Sequence, residues 1–369
     1  MQERMDALRA KFRSLGVANF LLTKFSDIHH EGSSSIRYLT GFTGSNATLF
    51  VTGREAFLLT DGRYTNQAME EVKGAVVIIS GGGKSISDGF VRILKENKQV
   101  RVRGKVGFEA SRMTYEMHRV FSESFPKSEL VETFAVVENI AAVKDPSEIA
   151  ATRRAVDITD KVFLSLLSEI KPGVCEMDIA AEVTYRHMKF GAERDAFEPI
   201  VASGIRSALP HGRASMKKIK AGEFVTLDIG CVADGYTSDM TRTVVVGKAN
   251  AEQKKMYSVV LSTQKNAAAA VAPGARCADL DLLARNEIAA AGYGDYFTHS
   301  LGHGIGLEVH GHPRLFKNSK EKLLVGNIVT IEPGIYINDF GGVRIEDDVV
   351  VTPNGGEILN KSPKELIEL

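Results

Sequence analysis

Two similar segments in the C-terminal half concentrate side chains of the kind that bind metal ions. The first, Phe224-Val-Thr-Leu-Asp-Ile-Gly230, precedes Tyr236-Thr-Ser-Asp-Met-Thr-Arg-Thr-Val-Val-Val246. The second, Ile328-Val-Thr-Ile-Glu-Pro-Gly334, precedes Gly342-Val-Arg-Ile-Glu-Asp-Asp-Val-Val-Val351. Each reads as an apolar strand bearing one carboxylate (Asp228, Glu332), then a glycine-containing turn, then a second strand bearing another (Asp239, Glu346). Between the segments, Thr298-His-Ser-Leu-Gly-His-Gly-Ile-Gly306 offers His303. Four carboxylates and one imidazole, all on predicted strands, suit a pair of divalent cations. Two ordinary hairpins are the structural alternative. Against it, buried strand positions rarely hold a carboxylate without a partner, and Asp228 interrupts a Val/Leu/Ile run. A ligand set rich in oxygen with one imidazole favours hard or borderline ions, Mn²⁺ first, with Co²⁺ or Zn²⁺ as alternatives.

These residues need a scaffold, and the punctuation of the chain outlines one. Asp145-Pro-Ser-Glu148 is a helix start, with Asp at the cap, Pro at the first helical position and Glu three after the cap. That helix is expected to run to Ile170, stopped by Lys171-Pro-Gly173. Further helices are expected over 176–190, 252–271 and 278–291, with strands in the remainder. The likeness of Val225-Thr-Leu-Asp-Ile-Gly to Val329-Thr-Ile-Glu-Pro-Gly, each leading to a triple-valine run, reads as a duplicated supersecondary unit. It occurs only twice, so it is not a solenoid repeat. The first third alternates differently. A helix over 2–15, strands at 17–23, 55–60, 76–80 and 105–107, and helices at 64–72, 86–97 and 111–124 describe a small α/β domain. Residues 36–51 read as strand, glycine turn, strand. We therefore expect an α/β domain over 1–135 and an α+β domain over 140–369, the latter with helices backing a mostly antiparallel sheet.

Bulk properties narrow the classes. The chain has 369 residues, 44% hydrophobic and 25% charged, and its 46 basic residues balance 46 acidic ones. That is the composition of a soluble globular protein of about two domains. It argues against a nucleic-acid partner. No apolar run reaches the length of a membrane span, and the N-terminus lacks the apolar core of a signal peptide. Three scattered cysteines, Cys175, Cys231 and Cys277, fit a reducing cytoplasm better than a disulfide framework.

Residues 140–369 resemble the pita-bread metallopeptidases: methionine aminopeptidase, aminopeptidase P and prolidase. The motifs are Asp228 with Asp239, His303 in Gly-His-Gly-Ile-Gly, Glu332 in Glu-Pro-Gly, and Glu346 in Gly-Gly-Val-Arg-Ile-Glu-Asp. The N-terminal domain resembles the extra domain of the aminopeptidase P and prolidase branch, on Tyr38-Leu-Thr-Gly-Phe-Thr-Gly-Ser and Thr60-Asp-Gly-Arg-Tyr64. The resemblance implies a curved pita-bread sheet and a metal-dependent peptidase working through a hydroxide held between two cations. It implies that Asp228 chelates one cation, His303 and Glu332 the other, and that Asp239 and Glu346 bridge. It assigns His211, His299 and His310 to the substrate pocket, with Glu332 also moving a proton. It places Thr241, Tyr336 and Arg344 behind the ligands. Arg344, two before Glu346, is expected on the same strand face. Arg314 is similar to an arginine that some prolidases use for the carboxylate of a dipeptide.

The implied substrates are small peptides with Xaa-Pro bonds, which general peptidases handle poorly because the imide nitrogen has no N–H. Removal of an N-terminal residue before proline is the first reading and cleavage of Xaa-Pro dipeptides the second. The resemblance also implies a homodimer whose N-terminal domains cap the sites. Relatives that have lost their ligands act without metal or as binding modules; here all five ligand positions are filled. Gly311 stands where relatives often carry an acidic residue. The His29-His-Glu31 loop reads as a solvated connection. Ser80-Gly-Gly-Gly-Lys-Ser85 lacks the leading glycine of a phosphate loop, because Ile78 occupies that position.

Overall fold

The computed structural model describes residues 1–25, 34–80, 91, 92, 95, 96, 102 and 104–369. The loop with His29, His30 and Glu31, the glycine run over 81–85 and most of the helix expected over 86–97 lie outside the described residues. The chain divides into two units, Met1–Ala141 and Ala142–Leu369.

Among the described residues of the first unit, six strands form a mixed sheet. Their order is Val76–Ser80, Ala56–Asp61, Asn46–Thr52, Asn19–Phe25, Gly104–Glu109, Ser128–Thr133. The second to fourth of these pair antiparallel, and the outer strands add in parallel. Ser35–Thr40 is a helix and not the expected strand. Ile36, Leu39 and Thr40 are buried, Thr40 Oγ1 donates to Ile36 O at 2.7 Å, and Gly41 closes the turn at φ 85°. A buried helical face with a left-handed glycine stop outweighs the strand preference of Ile, Tyr and Thr. The last strand and the helix Val136–Ala141 have no counterpart in the sequence reading, being short and weakly patterned.

The second unit begins at the expected helix start. Asp145 accepts from the backbone N–H of Ser147 and Glu148, and Glu148 accepts from Asp145 N, so three terminal donors are satisfied. Two helix pairs follow from this logic: Pro146–Leu166 with Glu176–Lys189, and Ala251–Ala269 with Cys277–Ala290. The first pair buries Ala155, Phe163, Ile179 and Val183 against Val201, Val225, Leu227 and Val244. The second buries Met256, Val260, Ala284 and Ile288 against Val329, Ile331, Val343 and Val349. Each fully buried aliphatic or Phe side chain contributes about 1.5–3 kcal/mol. The named strands of this unit pair antiparallel with one another, and an isolated parallel bridge joins Val245 to Glu368.

The sequence duplication reappears in the pairing. Phe224–Ile229 pairs with Met240–Val245, placing Val225 opposite Val244 and Asp228 opposite Thr241. Ile328–Ile331 pairs with Asp347–Thr352, placing Val329 opposite Val349. Each half thus presents one helix pair and one such hairpin. No helix among the described residues is long and apolar enough to cross a membrane, and none of the three buried cysteines forms a disulfide.

Candidate metal centre

Strand geometry delivers only two of the five expected ligands. Asp228 lies in Phe224–Ile229 and His303 in Gly302–Gly304. Asp239, Glu332 and Glu346 were expected on strands but occupy breaks between them. At such a break the backbone leaves its own ladder and is tied elsewhere. Asp239 N donates to Asp348 Oδ2 at 3.0 Å, Glu332 N to Leu301 O at 2.9 Å, and Glu346 N to Thr241 O at 3.1 Å. Pro333, without an N–H, reinforces the break after Glu332. The glycines around His303 are set by crowding. A Cβ at Gly302 would stand 2.0 Å from Thr330 O, and one at Gly304 would stand 2.0 Å from His312 O. Neighbouring strands can close on the histidine only because both positions lack a side chain.

These elements bring acidic oxygens and an imidazole together. One ligand atom each from Asp239, His303 and Glu346 lies within 4.8 Å of the others. His303 Nε2 is 3.8 Å from Asp239 Oδ2 and 3.4 Å from Glu332 Oε1. Asp228 and Glu332 line the same cavity. The donor set fits divalent cations on three grounds. Asp228 Oδ1, Asp239 Oδ1 and Glu346 Oε1 are buried without a hydrogen-bond partner, which is costly unless a cation compensates. Burial and then the neighbouring His310 push the His303 pKa down to about 3, so the ring is neutral. Its Nδ1 lies 3.2 Å from Gly304 O and is assigned the proton. The Nε2 lone pair then faces carboxyl oxygens, an arrangement that needs a cation or a carboxyl proton between them.

The carboxyls show the same strain. Asp239 and Glu332 sit well above the usual carboxyl range, through burial and then the charge of Glu346. Glu346 itself is pushed up to about 8 by burial and then by Asp228. An unfolded Glu titrates at about 4.3. Between that pH and about 8 the metal-free native state therefore holds protons that the unfolded chain has released. Its stability should fall as pH rises through this window. Bound cations replace those protons, so the rise in Tm on adding Mn²⁺ should be larger at pH 8 than at pH 5. Thermal unfolding in EDTA and in Mn²⁺ at both pH values tests this; a rise that shrinks with pH contradicts it.

Behind the ligands, Arg344 is buried and donates to four groups. Nη2 bonds Asp228 Oδ2, Nε bonds Thr241 Oγ1 at 2.9 Å, and Nη1 bonds Tyr336 Oη at 2.8 Å and Pro210 O at 3.2 Å. Thr241 Oγ1 in turn donates to Glu346 Oε2 at 2.6 Å. Arg344 and Glu346 line the same cavity as expected, although the strand Gly341–Arg344 ends before Glu346, and the carboxylate that Arg344 pairs with is that of Asp228. His299 lines the cavity with both ring nitrogens engaged: Nε2 lies 2.8 Å from Tyr336 Oη and Nδ1 2.8 Å from Ser300 O. Burial, then Arg344, pushes its pKa down to about 3.

Three supporting carboxylates escaped the sequence reading. Asp348 holds the backbone of Asp239. Asp281 accepts from Leu301 N at 2.9 Å and from Arg285, which also donates to Phe297 O and His299 O. Glu176 anchors the loop that carries His211. Asp348 follows Glu346 and Asp347 at the head of a valine-rich strand, where an acidic cluster reads as a strand end; the other two sit on amphipathic helices, where an acidic residue is unremarkable.

The cavity in front of these groups measures about 510 Å³, within the range of small-ligand sites. Its walls carry His211, His310, Arg213 and Arg314, with Phe197 and Ile200 as apolar surface. The His310 ring lies 4.6 Å from that of His303. Burial, then Arg314, holds its pKa below the ordinary value, so it is neutral at physiological pH. Arg314 is exposed and donates to His310 O at 3.3 Å. Exposed Arg213 pairs with Glu198 at 3.0 Å on the same wall.

Comparison with known proteins follows the same division. Residues 150–353 match metallopeptidase family M24, and residues 4–143 match the creatinase/prolidase N-terminal domain. An Xaa-Pro dipeptidase of Pyrococcus furiosus is 40% identical over 319 residues, 86% of this chain and 88% of that protein. The structure of an Xaa-Pro dipeptidase from Bacillus anthracis superposes with a TM-score of 0.92 at 40% identity, covering 100% of this chain and 99% of the other. That of an X-Pro aminopeptidase from Thermotoga maritima gives 0.87 at 35% identity, covering 98% and 100%.

Proposed function

Because the chain belongs to metallopeptidase family M24, we propose that it hydrolyses Xaa-Pro bonds in small peptides, with free Xaa-Pro dipeptides as preferred substrates. The observation that carries this reading is the neutral His303 imidazole turned toward buried carboxylates in a cavity that also presents two exposed arginines, Arg213 and Arg314, besides the buried Arg344. The resemblance of the Asp61-Gly-Arg-Tyr64 and Thr40-Gly-Phe-Thr-Gly-Ser45 motifs to the aminopeptidase P branch puts N-terminal cleavage of longer peptides ahead of dipeptide cleavage. Arg213 and Arg314 shift the balance, since a dipeptide places its free carboxylate beside the scissile bond and guanidinium groups bind carboxylates in two-point fashion. The dipeptidase relatives at 40% identity support the same order. Aminopeptidase action is the second reading, supported by the likeness to the Thermotoga maritima structure.

Asp228, Asp239, His303, Glu332 and Glu346 would hold two divalent cations, Mn²⁺ first. The chemistry such ions supply when bound is polarisation of the scissile carbonyl and acidification of a water molecule. The chain's own groups complete the reaction. Water adds to the carbonyl carbon and the C–N bond breaks. The released proton rests on Glu332 and passes to the proline nitrogen, which must gain a hydrogen to leave as an amine. Neutral His310 offers an N–H to the developing oxyanion. His211, which lines the same cavity, would contact the substrate. Tyr336 and Thr241 fix Arg344 and Glu346 so that the carboxylates stay oriented. A homodimer accompanies this reading, and light scattering that returns an active monomer would remove it.

Ala-Pro and Ala-Pro-Ala separate the two readings. Preference for the dipeptide is expected; cleavage of the tripeptide alone would favour the aminopeptidase. Arg314→Ala should raise KM for Ala-Pro by about 10–100-fold, the worth of a charged hydrogen bond, and change the tripeptide's KM less. Equal effects on both substrates would remove Arg314 from carboxylate binding.

A further inference from the structure

We propose that Glu176 is a positioning residue for substrate binding: it fixes both ends of the loop over 203–215, and thereby the place of His211 on the cavity wall. The proposal deepens the peptidase reading and rests on it. Glu176 opens the helix Glu176–Lys189 and is fully buried. Its Oε1 accepts from Ser203 N and Ser203 Oγ, both at 2.8 Å. Its Oε2 accepts from Ser215 N at 3.1 Å, Ser215 Oγ at 2.7 Å and Arg206 Nε at 3.1 Å. One carboxylate therefore grips the residue before the loop's first turn and the residue that ends it. Arg206 extends the grip, because its Nη2 also donates to Arg213 O within the same loop. A buried carboxylate is strongly unfavourable unless such donors surround it. An apolar side chain could tie helix to loop equally well but could not set the register of five donors.

The loop is worth holding because its cargo has few ties of its own. His211 is exposed and makes no side-chain hydrogen bond among the described residues. Backbone placement alone aims its ring. That backbone is a chain of turns, Leu209 N to Arg206 O and Gly212 N to Leu209 O, both 3.0 Å. Its Pro210 carbonyl meets Arg344 at 3.2 Å, which joins the loop to the carboxylate of Asp228. The other half of the unit uses the same device. Buried Asp281, with Arg285, holds Leu301 N and the carbonyls of Phe297 and His299. In both halves a helix carboxylate and an arginine clamp the backbone of a segment that brings a histidine to the cavity.

The test is Glu176→Gln in the full, Mn²⁺-loaded chain. An amide keeps the size but turns an NH₂ toward donors. With Ala-Pro as substrate, KM should rise about tenfold or more while kcat stays within a factor of about three, since misplacement of a binding group acts on substrate affinity. Metal content should match the wild type, and Glu176→Asp should recover part of the KM. A fall in kcat that tracks lost folded protein at unchanged KM would overturn the proposal. Should Glu176→Gln fail to fold, Ser215→Ala removes one donor only; a smaller rise in KM is expected, and an unchanged KM overturns the proposal. Wild-type protein inactive on both Ala-Pro and Ala-Pro-Ala would sink the peptidase reading instead. Amide exchange over 203–215, expected to be faster in the variant, would then still decide whether Glu176 holds the loop.

Discussion

Asp239→Ala is expected to lower kcat/KM on an Xaa-Pro dipeptide by about 10³-fold or more, because on the proposed assignment it would remove a ligand from a centre worth several kcal/mol to the transition state. Metal bound per chain should fall with it. Asp239 is buried between Glu346, Asp228 and Glu332, and its pKa is raised first by burial and then by those charges. Removing it relieves repulsion in the metal-free protein. The chelated variant should therefore unfold at a Tm no lower than that of chelated wild type at pH 8, even though activity is lost. Such opposite effects on activity and stability mark a functional carboxylate. Measuring kcat/KM, metal content and Tm together decides the matter. Activity close to wild type, or a large loss of Tm in EDTA, would refute the assignment.

Arg344→Met is expected to be damaging in a different way. The guanidinium contacts Asp228, Thr241, Tyr336 and Pro210 at once. Methionine fills much of the volume but leaves the buried Asp228 carboxylate without its cation, a change that costs about 3–5 kcal/mol in comparable sites. The metal-free variant should show that loss in denaturant unfolding. Activity should fall by about 10–100-fold, as expected for the partner of a metal ligand. Added Mn²⁺ should recover much of the stability, because an uncompensated carboxylate welcomes a cation, but little of the activity, because Asp228 is no longer oriented. A variant as stable as wild type in EDTA would show that Asp228 does not depend on Arg344.

How far the residues announce this structure depends on how local their partners are. Asp228 was recognisable because a carboxylate inside an apolar run is anomalous wherever it occurs. The Asp145 helix start was recognisable because its capping partners lie within three positions. Asp239, Glu332 and Glu346 stand out as candidate ligands from their apolar strand-like context, yet they lie between strands and not on them. Apolar alternation continues through each break, and only the switch of partner strand ends the ladder. Residues 35–40 read as strand because a six-residue helix offers too short a period to outweigh its Ile, Tyr and Thr. Glu176 gave no warning at all. Its acceptors find Ser203 and Ser215 at separations of 27 and 39 residues, and no local pattern encodes such a meeting.

The duplicated hairpins carry a consequence for synthesis. The first contributes Asp228 and Asp239; the second, about a hundred residues later, contributes Glu332 and Glu346, with His303 emerging between them. Under the proposed ligand assignment, a nascent chain that has just exposed the early pair would offer an ion only half a cage. Loading would wait until the late hairpin emerges and docks, so ion capture would report that synthesis has passed Glu346.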